Sequence, residues 1–137
     1  MSKEVLLKQS NLEVEYDQEN KLMYLNWVGF QNKEMIMESG GKILELFSSK
    51  SDCSRVLNDN RLVEGPWQDA AEWTQTVWFP QMMEAGLKYF AWIFSPNIFA
   101  ELSAKQAMPE ADGIKAFEGI SPAKEWLLDT ETKPIMA

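Results

Sequence analysis

The chain has 137 residues, 21 acidic against 13 basic, with a formal net charge of −8 and an aromatic set of six Trp and seven Phe. That is enough to bury a core as one domain, while the acidic surface disfavours phosphate backbones and anionic lipid head groups, so neither nucleic-acid binding nor membrane attachment is expected. The single Cys53 excludes an internal disulfide and a cysteine-based zinc site, and the lack of histidine removes the commonest general base and transition-metal ligand.

The first residues are too poor in apolar side chains for a signal peptide, and no run approaches a membrane span, so a cytoplasmic location is expected. Leu12-Glu13-Val14-Glu15-Tyr16 alternates apolar and acidic residues, the period of a half-exposed strand. Asp17 to Asn20 supplies turn residues, and Leu22 to Val28 is a nearly all-apolar strand ended by Gly29. The short connection makes the two an antiparallel hairpin. Asn32 is placed to cap a helix over residues 33–49, with Ile36, Gly40, Ile43, Leu44 and Phe47 as its inner stripe. Gly40 and Gly41 each cost that helix roughly 1 kcal/mol relative to alanine, which points to close helix–sheet packing or to a hinge. Ser48 to Ser54 reads as a polar loop carrying Cys53, an inert thiol in the plainer reading.

The chain is organised around residues 55–94. Arg55-Val56-Leu57-Asn58-Asp59 has the length of a strand, a helix follows from about Gln68 to Ala85, and Lys88 to Phe94 is a second apolar strand. Two such runs joined by a helix imply a parallel crossover. The loop expected between them, residues 58–67, then lies at the carboxyl end of a parallel strand, where open α/β sheets place ligand and partner sites. Pro80 removes an amide inside the helix and predicts a kink near Phe79, and Gly86 fits a C-terminal cap. Ser95-Pro96 starts a helix to about Ala107 with Ile98, Phe99 and Leu102 inward. Ile114 to Phe117 is a last strand, Ser121-Pro122 leads a final helix through Trp126 and Leu127, and residues 130–137 form a flexible tail. The order β-β-α-β-α-β-α-β-α describes one α/β domain over residues 1–137, core about 12–128. Its sheet is a mostly parallel five-stranded one with an antiparallel first strand.

This element order resembles the SpoIIAA-like branch of the STAS fold. The resemblance rests on the Arg55 to Asp59 strand and the aromatic Tyr89-Phe90-Ala91-Trp92-Ile93-Phe94 strand. Asn58-Asp59-Asn60-Arg61 with Gly65-Pro66-Trp67 and Trp78-Phe79-Pro80 is also similar to small bacterial proteins of that branch. The resemblance implies a non-enzymatic binding or regulatory module. Its regulatory members carry a phosphorylated Ser or Thr at the helix start after the matching strand. Residues 58–67 contain neither, and Thr74 lies inside the helix, so the phospho-switch is not carried over.

Two sets of candidate site residues remain. Asn58, Asp59, Asn60, Arg61 and Trp67 form an interaction or ligand loop, in which Asp59 and Arg61 read either as base and anion holder, or as a loop cap and a surface arginine paired with a nearby carboxylate. Trp73, Trp78, Phe79, Met82 and Trp92 read as core, or as the wall of an apolar pocket or interface. Helix residues 67–83 carry apolar side chains at both Trp73/Val77 and Trp78/Met82, more than one face needs. Both faces of the Tyr89–Phe94 strand are apolar, so a sheet with helices on one side only needs a second chain, most simply as a homodimer. No spacing specifies a metal, a cofactor or a nucleophile–base pair. The reading is a self-associating binding module without enzymatic activity; the alternative is a carrier of a lipid-like or aromatic ligand held between the Trp-rich helix and the sheet. Either a protein partner or a small apolar ligand satisfies it.

Overall fold

Alternating side chains build a single sheet in which every strand neighbours the next in sequence. A computed structural model describes residues 3–129, so the tail expected over residues 130–137 lies outside the described residues. The strands are Lys3–Lys8 (β1), Leu12–Asp17 (β2), Leu22–Phe30 (β3), Arg55–Glu64 (β4), Tyr89–Ile93 (β5) and Ile114–Phe117 (β6), in the sheet order β1-β2-β3-β4-β5-β6. The first two pairings are antiparallel and the last three parallel. The sheet therefore has six strands, not five. The additional β1 is a largely exposed edge strand without alternation, with Val5 57% exposed, and only pairing with β2 makes it a strand.

Helices Lys33–Ser48 (α1), residues 68–84 (α2) and Ile98–Ala107 (α3) connect the parallel strands, and Ile120–Asp129 (α4) follows β6. In α1, Asn32 Oδ1 accepts the Met35 amide at 2.8 Å, and Ile36, Gly40, Ile43 and Phe47 of the expected stripe are buried together with Ser39, while Leu44 is half-buried. Inside α2, Thr74–Trp78 forms a π-turn that ends two residues before Pro80. The irregularity expected from the proline thus takes the form of a widened turn just N-terminal to it. Gly86 follows α2 with φ +116°.

The larger core joins α1, α2 and α3 to Leu12, Val14, Met23, Leu25, Val56, Phe90 and Trp92 on one sheet face. A smaller core on the other face joins Ala123 and Leu127 of α4 to Leu22, Leu57, Ala91 and Ile93. The second face of β5 is thus covered by α4 rather than left for another chain. Arg55, itself buried, anchors α4 by donating to the Leu127 carbonyl at 3.0 Å and to the Asn20 carbonyl in the β2–β3 turn.

Three local expectations are corrected. Asn97, not Ser95, caps α3, accepting the amides of Phe99 and Ala100, while Ser95 Oγ donates to the Val63 carbonyl. Ala100, Ser103, Ala104 and Ala107 form the inner face of α3, leaving Ile98, Phe99 and Leu102 63%, 59% and 47% exposed. The small residues let α3 lie close against the start of α2, and that approach decides which face turns in. Cys53, placed by its neighbours in a polar loop, is buried with Sγ 3.5 Å from the Arg55 carbonyl oxygen, and burial pushes its thiol pKa up.

Candidate functional site

The site grows from the carboxyl half of β4. Residues 58–64 continue the strand because β3 is long enough to pair with them, through Asn26↔Asp59 and Val28↔Leu62, with a one-residue bulge in β4 between these pairs. Strand alternation then separates residues that the sequence reads as one loop. Asn58 and Asn60 turn toward α1 and α2, whereas Asp59 and Arg61 lie on the opposite face with Tyr24.

On the helix-covered face these residues line a pocket between α1, α2 and the sheet, partly open to solvent. Trp27 of β3, Asn58, Asn60 and Val63 of β4, and Phe90 and Trp92 of β5 form its floor. Ile36 and Gly40 of α1 and Trp73, Thr74 and Trp78 of α2 form its walls, with Gln31 and Trp67 at its ends. Five of the six tryptophans therefore meet around one space. Its free volume, counted as positions open to the centre of a water molecule, is about 40 Å³. That is room for roughly three waters, the bulk of a single ring.

Two backbone features bring the rings together. In a regular α-helix, side chains five residues apart point roughly 140° apart, so Trp73 and Trp78 belong to different faces. The π-turn, with the Phe79 amide bonded to the Thr74 carbonyl, widens the helix between them, and both rings reach Gly40. A Cβ on Gly40 would stand 2.9 Å from Trp73 Cη2 and 3.1 Å from Trp78 Cδ1, so the glycine accommodates close helix–helix rather than helix–sheet packing. Trp78 Nε1 donates to the Gly40 carbonyl at 2.8 Å and holds the ring in place. Trp67 stacks on Trp92 with centroids 6.2 Å apart, and its amide donates to Ser103 Oγ of α3 at 2.9 Å.

The polar edge of the pocket is a chain of amides. Trp27 Nε1 donates to Asn58 Oδ1 at 2.9 Å, and Asn58 Nδ2 donates to Asn60 Oδ1 at 3.1 Å. Gln31 Nε2 donates to the Val28 carbonyl, while Gln31 Oε1 accepts from Asn11 Nδ2, which also donates to Ser39 Oγ.

Asp59 and Arg61 stand apart from this pocket. The Asp59 carboxylate, 2% exposed, accepts from Tyr24 Oη at 2.6 Å and from the Arg61 amide, Nε and Nη2, the last at 2.7 Å. Burial alone would raise the Asp59 pKa, but the hydrogen bonds from Arg61 and Tyr24 outweigh it and hold the carboxyl below its usual range. Burial and the bond to Asp59 push the Tyr24 hydroxyl up, and the bond to Asp59 raises Arg61. With its lone pairs engaged by its neighbours, Asp59 fits a strand-pinning ion pair better than a general base.

Of the expected site residues, Asn58, Asn60, Trp67, Trp73, Trp78 and Trp92 converge on the pocket. Phe79 and Met82 are fully buried in the core instead, and Asp59 and Arg61 lie across the sheet. Sequence reasoning missed Trp27, Gln31 and Gly40 as pocket residues. Trp27 was accessible to it, being two residues beyond Leu25 on the same strand face. Among the described residues no group of three or more His, Cys, Asp or Glu is placed to hold a metal ion, and no helix is long and apolar enough to cross a membrane. Comparison with protein-family models, curated proteins and solved structures finds no match to the chain.

Proposed function

We propose that the protein is a non-enzymatic, STAS-like binding module that holds a small ring-shaped apolar molecule in the tryptophan pocket. The observation that carries this reading is the gathering of five tryptophans, with buried amides, around a free space at the carboxyl ends of β3, β4 and β5. Such a lining of flat apolar walls with a few fixed polar groups is the usual make-up of a small-molecule site. The free volume favours one ring over a lipid chain, narrowing the carrier alternative to its aromatic form. Titrating the protein with toluene while following tryptophan emission tests the reading. A saturable change, reduced in Trp73→Phe, is expected; no saturable response to toluene or any other one-ring probe at millimolar concentration refutes it.

The exposed apolar face of α3 supports self-association as a second property of the module. Ile98, Phe99 and Leu102 stand on one exposed side of the helix, the largest such group on any helix among the described residues. The occupant of this face in our reading is a second copy of the chain. Native mass spectrometry and sedimentation at high protein concentration test it, and a strictly monomeric protein refutes it.

A further inference from the structure

The polarity of a fitting ligand follows from which hydrogen-bonding groups of the pocket are already engaged. An indole nitrogen can only donate. Trp27 Nε1 therefore requires the oxygen of Asn58, which turns the Asn58 nitrogen toward Asn60 and fixes the Asn60 oxygen as its acceptor. Both amide orientations follow from one indole, and the relay ends on Asn60 Nδ2, a donor. Gln31 Nε2 is engaged by the Val28 carbonyl, Thr74 Oγ1 by the Ala70 carbonyl and Trp78 Nε1 by the Gly40 carbonyl.

Trp92 is the exception. It is only 3% exposed, it lines the pocket, and its Nε1 has no hydrogen-bond partner among the described residues. A buried N–H without an acceptor is costly, and a bound acceptor atom removes that cost. Among the lining N–H groups, Asn60 Nδ2 and Trp92 Nε1 are thus the donors still to be met; the Thr74 hydroxyl has given its hydrogen to the Ala70 carbonyl and keeps only acceptor capacity, and among the described residues no charged side chain lines the space.

Resting on the pocket reading above, we infer that the ligand is an uncharged planar ring bearing a hydrogen-bond acceptor, a carbonyl oxygen or ring nitrogen, which Trp92 Nε1 engages. A plain hydrocarbon leaves that donor unmet. A carboxylate meets no cation in the lining and is opposed by the net charge of −8. A quaternary ammonium is attracted by ring faces, but it offers Trp92 no acceptor and finds no carboxylate in the lining.

The test is calorimetric titration of the full chain with four one-ring probes: toluene, acetophenone, benzoate and benzyltrimethylammonium. The Trp92 indole N–H resonance is followed in parallel. Acetophenone is expected to bind about tenfold more tightly than toluene and to move that resonance downfield. In Trp92→Phe, which keeps a ring and removes the donor, the ratio of acetophenone to toluene affinity should fall to about one. Benzoate or benzyltrimethylammonium as the tightest probe, or no preference between acetophenone and toluene in the unmodified protein, overturns this inference and leaves the pocket reading standing. Failure of all four to bind overturns both. If Trp92→Phe does not fold, the ranking of probes and the Trp92 resonance in the unmodified protein decide.

Discussion

Replacing Gly40 by alanine sets two effects of opposite sign against each other inside α1. Alanine in a helix interior is favoured over glycine by about 1 kcal/mol. The added methyl, however, would stand 2.9 Å from Trp73 Cη2 and 3.1 Å from Trp78 Cδ1. The Trp73 atom is the far end of a partly buried side chain and can swing away. Trp78 Cδ1 belongs to a ring only 5% exposed and tied by its Nε1 to the Gly40 carbonyl, so it resists. Overpacking of this kind costs about 1–3 kcal/mol. The expected balance is a net loss of about 1 kcal/mol, a fall of about 4 °C in Tm for a chain of this size. Gly41 is the internal control: a Cβ there meets nothing within 4 Å, so Gly41→Ala should show the helix gain alone and raise Tm by a similar amount. Thermal unfolding by circular dichroism measures both variants, and tryptophan emission reports whether the pocket rings have moved. Equal stabilisation by the two substitutions, with emission unchanged in Gly40→Ala, would refute the argument that Gly40 exists to admit the two rings.

Asp59→Asn should cost about 1–2 kcal/mol at neutral pH, discounted because Arg61 is 44% exposed. Because the folded-state pKa of Asp59 is depressed, its contribution is present above the unfolded value of about 4 and lost as pH falls through the folded value. The gap in stability between the original protein and Asp59→Asn should therefore close below about pH 4 in urea titrations; a gap independent of pH would contradict the ion-pair account. Cys53, buried and with a raised thiol pKa, should resist iodoacetamide in the folded protein and react on unfolding, and equal rates in both states would place the thiol at the surface. The double substitution Phe99→Ser with Leu102→Ser should shift native mass spectra from dimer to monomer with little change in Tm, whereas a large loss of Tm would mean that this face of α3 is core.

The local patterns of the chain were sufficient where one periodicity dominated. Apolar–acidic alternation in Leu12–Asp17 and the apolar run from Leu22 specified the β2–β3 hairpin, and Asn32 with the Ile36 to Phe47 stripe specified α1. The aromatic run Tyr89–Ile93 specified a strand buried on both faces. Of the site, the tryptophans were legible as an apolar wall and the carboxyl end of β4 as its place, because side-chain type and strand order are properties of the sequence.

Tertiary structure decided the rest. Asn58 and Asp59 read both as the end of a strand and as the start of a loop, and residues 60–64 read as loop alone; all are strand because β3 runs far enough to pair with them, and pairing is a non-local choice. Once in a strand, neighbouring residues must face opposite ways, so the amides joined the pocket and the Asp59–Arg61 pair did not. The inner face of α3 went to Ala100, Ala104 and Ala107 rather than to its larger apolar residues, because close approach to α2 outweighs side-chain hydrophobicity there. The meeting of Trp73 and Trp78 over Gly40 depends on a π-turn that changes the helical period for five residues. A fixed period of 3.6 assigns those two rings to different sides, and only the folded backbone places them on one.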